Sequence, residues 1–580
     1  MAKFLLGILS GVVLTVLTVF AMILVAATLG TPAPSVEEDS VLTIRLQGEV
    51  PEYSRTDFSF EFMRSGPRPT LLDLRDTLHH AAGDDRIRAL LLDFRGLAVG
   101  WAKAQEIRWA VETFKKSEKP VFAFLSAAAT SDYYIASAAD RIFMPPEGVL
   151  DVKGLRVQAT FYTDTLKKLG IEAELERIGK YKSAVESMTR TSMSDEYREV
   201  MNSILDDVYT RFVETVAPAR GKTPEALLEI LDQGPFIPPN ALKAGLIDAL
   251  LYADQVDDHI QEKLELETLT KVKFSQYSQS IRDLAGDDSE DEIAIVYAEG
   301  QIMRGSSKDD PFFGATVLGS DSFAKTIREV RDKEAVKAVI LRINSPGGDA
   351  VASDLMWREV RLLREKKPVI VSMSDVAASG GYYIAMADDT PVLAYAGTYT
   401  GSIGVFFGKI NLRGFYDKIG IKKETLTRGR YADINSDYRS LTEDERGKLR
   451  SEIKVFYKNF VEKVAQSRNR DWEQIHEVAQ GRVWLGSQAL EQGLVDELGG
   501  LDRAIELARD AAEIDEEAEL KLVPYPAPKN IFESLIDPET WARETPLPAA
   551  LRSKLDEIPN LVSLLQGGML RIAPYSITVE

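Results

Sequence analysis

The chain has 580 residues, 45% hydrophobic and 28% charged, an ordinary globular composition too long for a single core, so about two to four domains are expected. Its 70 Lys and Arg against 90 Asp and Glu give a net charge of −20, which argues against nucleic acid as the main partner and against broad docking onto anionic lipid. Without cysteine there is no disulfide, no thiol nucleophile and no Cys-ligated metal.

From Phe4 to Gly30 no residue is charged. At 1.5 Å per residue a helix of that length is roughly 40 Å long, more than a hydrocarbon core of about 30 Å requires. A cleavable signal peptide has a shorter apolar region, about 7–15 residues. An uncleaved membrane anchor is therefore expected over residues 1–38, with "VAATLGTPA" as the place where a cleavage would fall. Lys3 precedes the span and "EED" (37–39) follows it, so the positive-inside rule keeps the N-terminus cytoplasmic and exports the rest.

Beyond the anchor the sequence repeats itself. "IRALLLDFRG" (87–96) matches "VKAVILRINS" (336–345), and "SEKPVFAFLSAAATSDYYIASAAD" (117–140) matches "EKKPVIVSMSDVAASGGYYIAMADD" (365–389). "KKLGIEAE" (167–174) matches "DKIGIKKE" (417–424), and "KAGLIDAL" (243–250) matches "EQGLVDEL" (491–498). The constant spacing of about 249 residues is that of a duplicated domain, far too long for a solenoid. The first copy is assigned to 39–275, a polar, acidic linker to 276–292, the second copy to 293–515 and a C-terminal tail to 516–580. Short β-branched runs such as "AVILRI" and "VIVSM" alternate with amphipathic stretches such as "ASDLMWREVRLLREK". That alternation predicts an α/β fold with right-handed crossovers and a mostly parallel sheet in each copy. The tail, broken by "YPAPKN" and "ETPLP", is compatible with packing on the body or lying against a membrane.

Two stretches of the second copy have chemistry that the first lacks. "NSPGGDA" (344–350) follows a predicted strand, and Gly347 and Gly348 there could turn backbone N–H groups into a cleft, as an oxyanion hole requires; on its own such a pair is more often a plain turn. "GTYTGSIGVFFG" (397–408) holds Ser402 among small neighbours, an accessible hydroxyl that in isolation is more often just a loop. The first copy reads "RGLAVGW" and "GVLDVKGLRV" at the matching places. It has instead "GKYKSAVES" (179–187), where Lys182 falls opposite Ala432 of "GRYADINS". Complementary loss of this kind is expected when two copies fold around one composite site.

A serine nucleophile needs a proton acceptor. The four histidines, His79, His80, His259 and His476, lie in charged or helix-end stretches away from any Gly-rich loop, and no metal-ligand spacing occurs. Lysine remains, and Ser-Lys pairs are an established variant of the catalytic triad. An unperturbed lysine is neutral in only about one molecule in 2,500 at pH 7. Burial beside Ala184 and Val185 lowers the pKa, provided that Glu186 points elsewhere.

Together, the anchor, the duplication, "YKSAVES", "SPGGDA", "ASGGYYIA" and "TGSIGV" resemble the signal peptide peptidase A (protease IV) family of the long, double-domain bacterial type. The resemblance implies tandem Clp-peptidase/crotonase-like ββα-superhelix domains in a homotetramer. It implies a serine peptidase of the bacterial inner membrane, with its catalytic domains periplasmic, acting on cleaved signal peptides and other hydrophobic peptides without metal or cofactor. Carried over, Ser402 is the nucleophile, Lys182 the general base, and Gly347 and Gly348 the oxyanion donors. Ser379 in "ASGGYYIA" is the rival nucleophile, because Clp-type peptidases place theirs there. "VES" stands where the resemblance leads one to expect Val-Glu-Pro. A crotonase-like acyl-thioester enzyme and a non-catalytic membrane scaffold of the same fold are the alternatives.

Overall fold

The computed structural model describes residues 36–53, 69–284, 291–309, 316–515, 518, 520–527 and 568–572, together with isolated positions 11, 15 and 18. Among them no helix is long and apolar enough to cross a membrane. The expected anchor, Phe4 to Gly30, lies outside the described residues except at those three positions.

Each copy folds around a parallel sheet. In the first, six strands run in the order Ala249–Leu250, Arg141–Met144, Val121–Leu125, Ile87–Leu97, Ser40–Gly48, Thr270–Lys273, all in parallel pairs. Helices such as Leu71–Gly83 and Trp101–Lys115 connect them. The central strand "IRALLLDFRGL" is buried along most of its length, as a parallel strand covered on both faces must be. The second copy repeats the plan with Glu292–Glu299, Val336–Ser345 and Val369–Ala378 at the centre of an eight-stranded sheet. Equivalent contacts confirm the duplication. Tyr133 donates its hydroxyl to Leu246 O at 2.7 Å, and Tyr382 donates to Leu494 O at the same distance.

Two expected boundaries shift. Residues assigned to the linker begin inside a helix, Phe274–Leu284, that packs on the first copy; Tyr277 is buried and donates to Asp84 at 2.9 Å. The polar sequence reads as linker because only one narrow face of this helix is apolar. Part of the tail belongs to the body as well. Lys521–Tyr525 pairs in parallel with Glu292–Glu299, just as Thr270–Lys273 pairs with Ser40–Gly48, and Gly568–Ile572 enters a further sheet.

That further sheet joins the copies. Its order is Lys308–Asp309, Thr316–Gly319, Gln301–Met303, Gly347–Asp349, Gly568–Ile572, Val405–Asn411, Glu172–Ile178. The last strand comes from the first copy and runs antiparallel to Val405–Asn411, with Ile178 opposite Val405 and Glu172 opposite Asn411.

A buried charge cluster also bridges the copies. Arg342, 1% exposed, donates to Glu52 at 2.9 Å, to Glu106 at 2.5 Å and to Ser372 Oγ at 2.9 Å. Glu52 further accepts the Ser374 hydroxyl and faces Lys103 at 3.4 Å. Asp375 of the second copy accepts the N–H groups of Gly100 and Lys103 at 3.2 and 3.0 Å. It thereby caps the helix Trp101–Lys115, whose own N-cap, Gly100, has no side chain to do so. Burial pushes the carboxyls of Glu106 and Asp375 up. Burial acts on Glu52 in the same sense, but Arg342 and Lys103 outweigh it and hold that carboxyl down at about 2.

Replacing Glu52→Gln should therefore lower unfolding stability in urea by about 3 kcal/mol, because a buried guanidinium loses one of its charged partners. The contribution of Glu52 is complete above its ordinary value of 4.5 and is lost as pH falls toward about 2. E52Q should show a flatter loss of stability than the wild type across that window.

Candidate active site

The register across the seam fixes what lies beyond the strand ends. Four residues after Ile178 comes Lys182, and three residues before Val405 comes Ser402, so the two approach from opposite strands at the same end of the ladder. The Lys182 amine lies 3.0 Å from Ser402 Oγ, 2.9 Å from Ser402 O and 2.8 Å from Ser379 Oγ. Lys182, Ser379 and Ser402 are all 0% exposed. The structure thus gathers both serines singled out in the sequence around the one lysine. The equivalent residue of the second copy, Ala432, is exposed on a turn.

Neighbouring groups fix the lysine backbone. Arg177 donates to Lys182 O at 2.8 Å, and Tyr181 N–H donates to Gln480 O at 3.0 Å. Glu186 does point away: it accepts from Arg177 at 3.0 Å and from the Ser194 hydroxyl and N–H at 2.7 and 3.0 Å. Gly481, at φ 79°, lies so close that a Cβ there would stand 2.7 Å from Lys182 N and Cβ. Sequence reading missed Gly481. The signal was present, since "AQGRVW" (479–484) repeats "DQGPFI" (232–237) one period away.

The two serines differ in setting. Ser379 is the single residue between the strand Val369–Ala378 and the helix Gly380–Ala385, with φ 56° and ψ −112°. Such a strained strand-to-helix elbow pushes a side chain out of the sheet end and is the usual seat of a serine nucleophile. Ser402 also has a positive φ, 50°, but lies between two strands, and its N–H donates to Arg482 O at 2.7 Å. The Gly347–Gly348 pair adjoins Gly380, the residue after Ser379: a Cβ on Gly380 would lie 3.0 Å from Gly347 Cα and 3.1 Å from Gly348 N. Gly347 N–H donates to Ser345 Oγ at 3.2 Å. A Cβ on Gly348 would come within 1.9 Å of Ile302 O, so no other residue fits there.

The first copy carries different residues at the matching place. Thr130 stands in the place of Ser379 and Asp132 in that of Gly381. The Asp132 carboxylate accepts the N–H groups of Leu97 and Ala129 at 3.0 and 2.8 Å, and burial pushes its pKa up. The histidines are engaged elsewhere: His259 packs edge-on against Phe143, and His476 stacks on Trp472 and bonds to Tyr457 at 2.8 Å. Among the described residues no acid or histidine group is arranged to hold a metal.

Residues 113–267 and 361–515 each match peptidase family S49. The chain belongs to that family. The two matches fall one in each copy, so this S49 peptidase carries the family domain twice. It is 38% identical to the "Serine protease SPPA, chloroplastic" of Arabidopsis thaliana over 87% of this chain and 74% of that protein. It is 32% identical to the "Protease 4" of Salmonella typhi over 84% of this chain and 78% of that protein. Among solved structures, ClpP1 of Listeria monocytogenes overlaps 38% of this chain and 96% of its own at 15% identity and a TM-score of 0.23, a likeness too slight to add to the family assignment.

Gly481→Ala should shift Lys182 away from the serines while leaving both cores intact. Displacing a catalytic group by about 1 Å can cost about 100-fold in rate. Peptidase activity should fall by that order with the thermal midpoint little changed; unchanged activity would mean that the lysine position does not matter.

Proposed function

We propose that this S49 peptidase hydrolyses peptide bonds with Lys182 as general base and Ser379 as nucleophile, Ser402 holding the amine in place. This exchanges the two serine roles expected from the sequence. The observation that carries it is the Ser379 elbow beside the glycine pair, with the amine 2.8 Å away. A neutral amine has two N–H donors and one lone pair. Ser402 O can only accept, so it takes one N–H. The other N–H and the lone pair then face the two hydroxyls: one hydroxyl accepts a hydrogen bond from the amine and the other donates one to it. Holding the amine by both its carbonyl and its hydroxyl suits Ser402 to the receiving role, and the elbow suits Ser379 to attack.

In the reaction Ser379 Oγ bonds to the substrate carbonyl carbon while its proton passes to the Lys182 lone pair. Backbone N–H groups at Gly348 and the start of the helix Gly380–Ala385 stabilise the oxyanion. The protonated amine next delivers its proton to the leaving nitrogen as the C–N bond breaks. Water, deprotonated by the same amine, then hydrolyses the acyl ester. Glu186 is engaged by Arg177 and Ser194, and burial of an amine disfavours its charged form, as this chemistry requires. The expected anchor, the acidic net charge and the named relatives favour hydrophobic peptides, cleaved signal peptides among them, handled at a bacterial inner membrane by exported lobes. A homotetramer and a Clp-like superhelix belong to the same reading.

A fluorophosphonate probe separates the roles. Labelling should vanish in Ser379→Ala and persist, slowed, in Ser402→Ala; the opposite pattern returns the attack to Ser402. Lys182→Ala should abolish turnover and Lys182→Arg should not restore it, because guanidinium stays protonated. The labelling rate should climb from neutral to alkaline pH as the amine loses its proton. Micromolar affinity for coenzyme A in equilibrium dialysis would instead favour acyl-thioester chemistry.

A further inference from the structure

Three consecutive residues of the second copy, Gln480, Gly481 and Arg482, are bonded to both sides of the seam. Gln480 O accepts the Tyr181 N–H of the first copy at 3.0 Å, Gly481 N–H donates to Ile403 O at 2.8 Å, and Arg482 O accepts the Ser402 N–H at 2.7 Å. The backbone beside the amine and the backbone beside one hydroxyl therefore hang on the same short segment. The Arg482 side chain then closes over the first copy. Its guanidinium lies 4.9 Å from the centroid of the Tyr181 ring and 4.3 Å from that of Trp484, within the range at which a cation is drawn to an aromatic face. It also pairs with Glu199 on the helix Asp195–Ala219 of the first copy. Tyr181 donates its hydroxyl to the same carboxylate at 3.2 Å, and the Trp484 indole N–H is fixed on Val478 O at 2.9 Å. Arg482 holds the Glu199 carboxyl below its ordinary value, so the ion pair is charged at neutral pH.

The first copy is built differently. "DQGPFI" has Pro235 where "AQGRVW" has Arg482. The two cations over Tyr431, the counterpart of Tyr181, are Arg430 and Lys448 of the same copy, 5.3 and 5.4 Å from the ring centroid. In this chain an arginine reaches across the seam to the tyrosine that adjoins Lys182, and its counterpart beside Ala432 does not. We propose that Arg482 is a positioning residue of the centre: its guanidinium, clasped by Tyr181, Trp484 and Glu199, fixes the segment that carries Lys182 against the segment that carries Ser402. This rests on Lys182 as the general base. The guanidinium acts through the backbone and not on the reacting atoms. Lys180 also lies over the Tyr181 ring, at 4.7 Å, but it belongs to the first copy and ties nothing across the seam. A planar guanidinium can stack on two rings while it pairs with a carboxylate, which a compact ammonium cannot do.

The test uses the full chain and saturation kinetics with the fluorophosphonate, which separate the limiting rate from the half-saturating concentration. Arg482→Ala should lower the limiting rate by roughly 100-fold, the order expected when a catalytic group moves by about 1 Å, and leave half-saturation within about twofold. Its rate profile should also move to higher pH, because an amine no longer held in the dry seam favours its charged form. About 50 mM guanidinium chloride, too dilute to unfold a domain, should restore part of the rate, and urea at the same concentration, planar but uncharged, should not. Glu199→Gln, at a carboxylate half exposed on its helix, should change rate and profile in the same direction by less. The proposal is overturned by a limiting rate in Arg482→Ala equal to that of the wild type, by a loss confined to half-saturation, by a pH profile that does not move, or by equal rescue with guanidinium and urea. If Arg482→Ala does not fold, Glu199→Gln decides, and an unchanged rate and profile there overturns the proposal. Lys182→Ala keeps the two readings apart. If it abolishes labelling while Arg482→Ala labels normally, the clasp falls and the role of the lysine stands; if it labels as fast as the wild type, the general base falls and the clasp with it.

Discussion

The antiparallel ladder between Glu172–Ile178 and Val405–Asn411 is the constraint on which this molecule turns. Backbone pairing has a period of two, and a slip of one residue would turn the next side chain to the opposite face. With Ile178 opposite Val405, Lys182 and Ser402 converge at one end of the ladder; with any other register they would not meet. The buried cluster around Arg342 serves the same end from farther away. Its second-copy members lie on Val336–Ser345 and Val369–Ala378, the two strands that lead to the glycine pair and to Ser379, and its first-copy members lie beside Glu52 and at the start of Trp101–Lys115. One copy thus supplies the amine and the other supplies the hydroxyls, and charge pairs in the dry interior hold the two in register.

Burial suits Lys182 to the part proposed for it, one usually played by histidine. Its partners within 3.0 Å include two hydroxyls and a carbonyl, all uncharged, and the nearest acid in sequence, Glu186, is bound by Arg177 and Ser194. The first copy shows what happens where no chemistry is needed. There Asp132 stands where the second copy has Gly381, at which a Cβ would come within 2.4 Å of Ser345 O, and its carboxylate takes up the backbone N–H groups of Leu97 and Ala129.

Much of this was legible in the sequence, because duplication makes a sequence its own comparison. The repeat pointed to the two parallel sheets, which both copies share, and to the lysine and the glycine pair, each of which stood out against its absence in the other copy. The ranking of Ser379 and Ser402 was less accessible. It depends on a backbone conformation at residue 379 and on the approach of Gly347 to Gly380, and neither leaves a mark in residue type beyond the glycines themselves. Phe274–Leu284 was hidden for another reason: a helix that buries one narrow stripe against a neighbour looks polar on average. The strand Lys521–Tyr525 was hidden by Pro524, and both it and Gly568–Ile572 by sequence distance, because a sheet accepts a partner from anywhere along the chain.

Fusing two copies into one polypeptide has a stoichiometric effect. A lone copy of such a domain could complete a centre only by borrowing an amine from a second molecule, so activity would depend on concentration. Here the amine and the hydroxyls are encoded in tandem, so under the proposed mechanism a single chain carries both, however dilute. The cost is that the chain holds one such lysine–serine cluster where a symmetric pair of copies would hold two, the matching place in the first copy carrying Thr130 and Asp132.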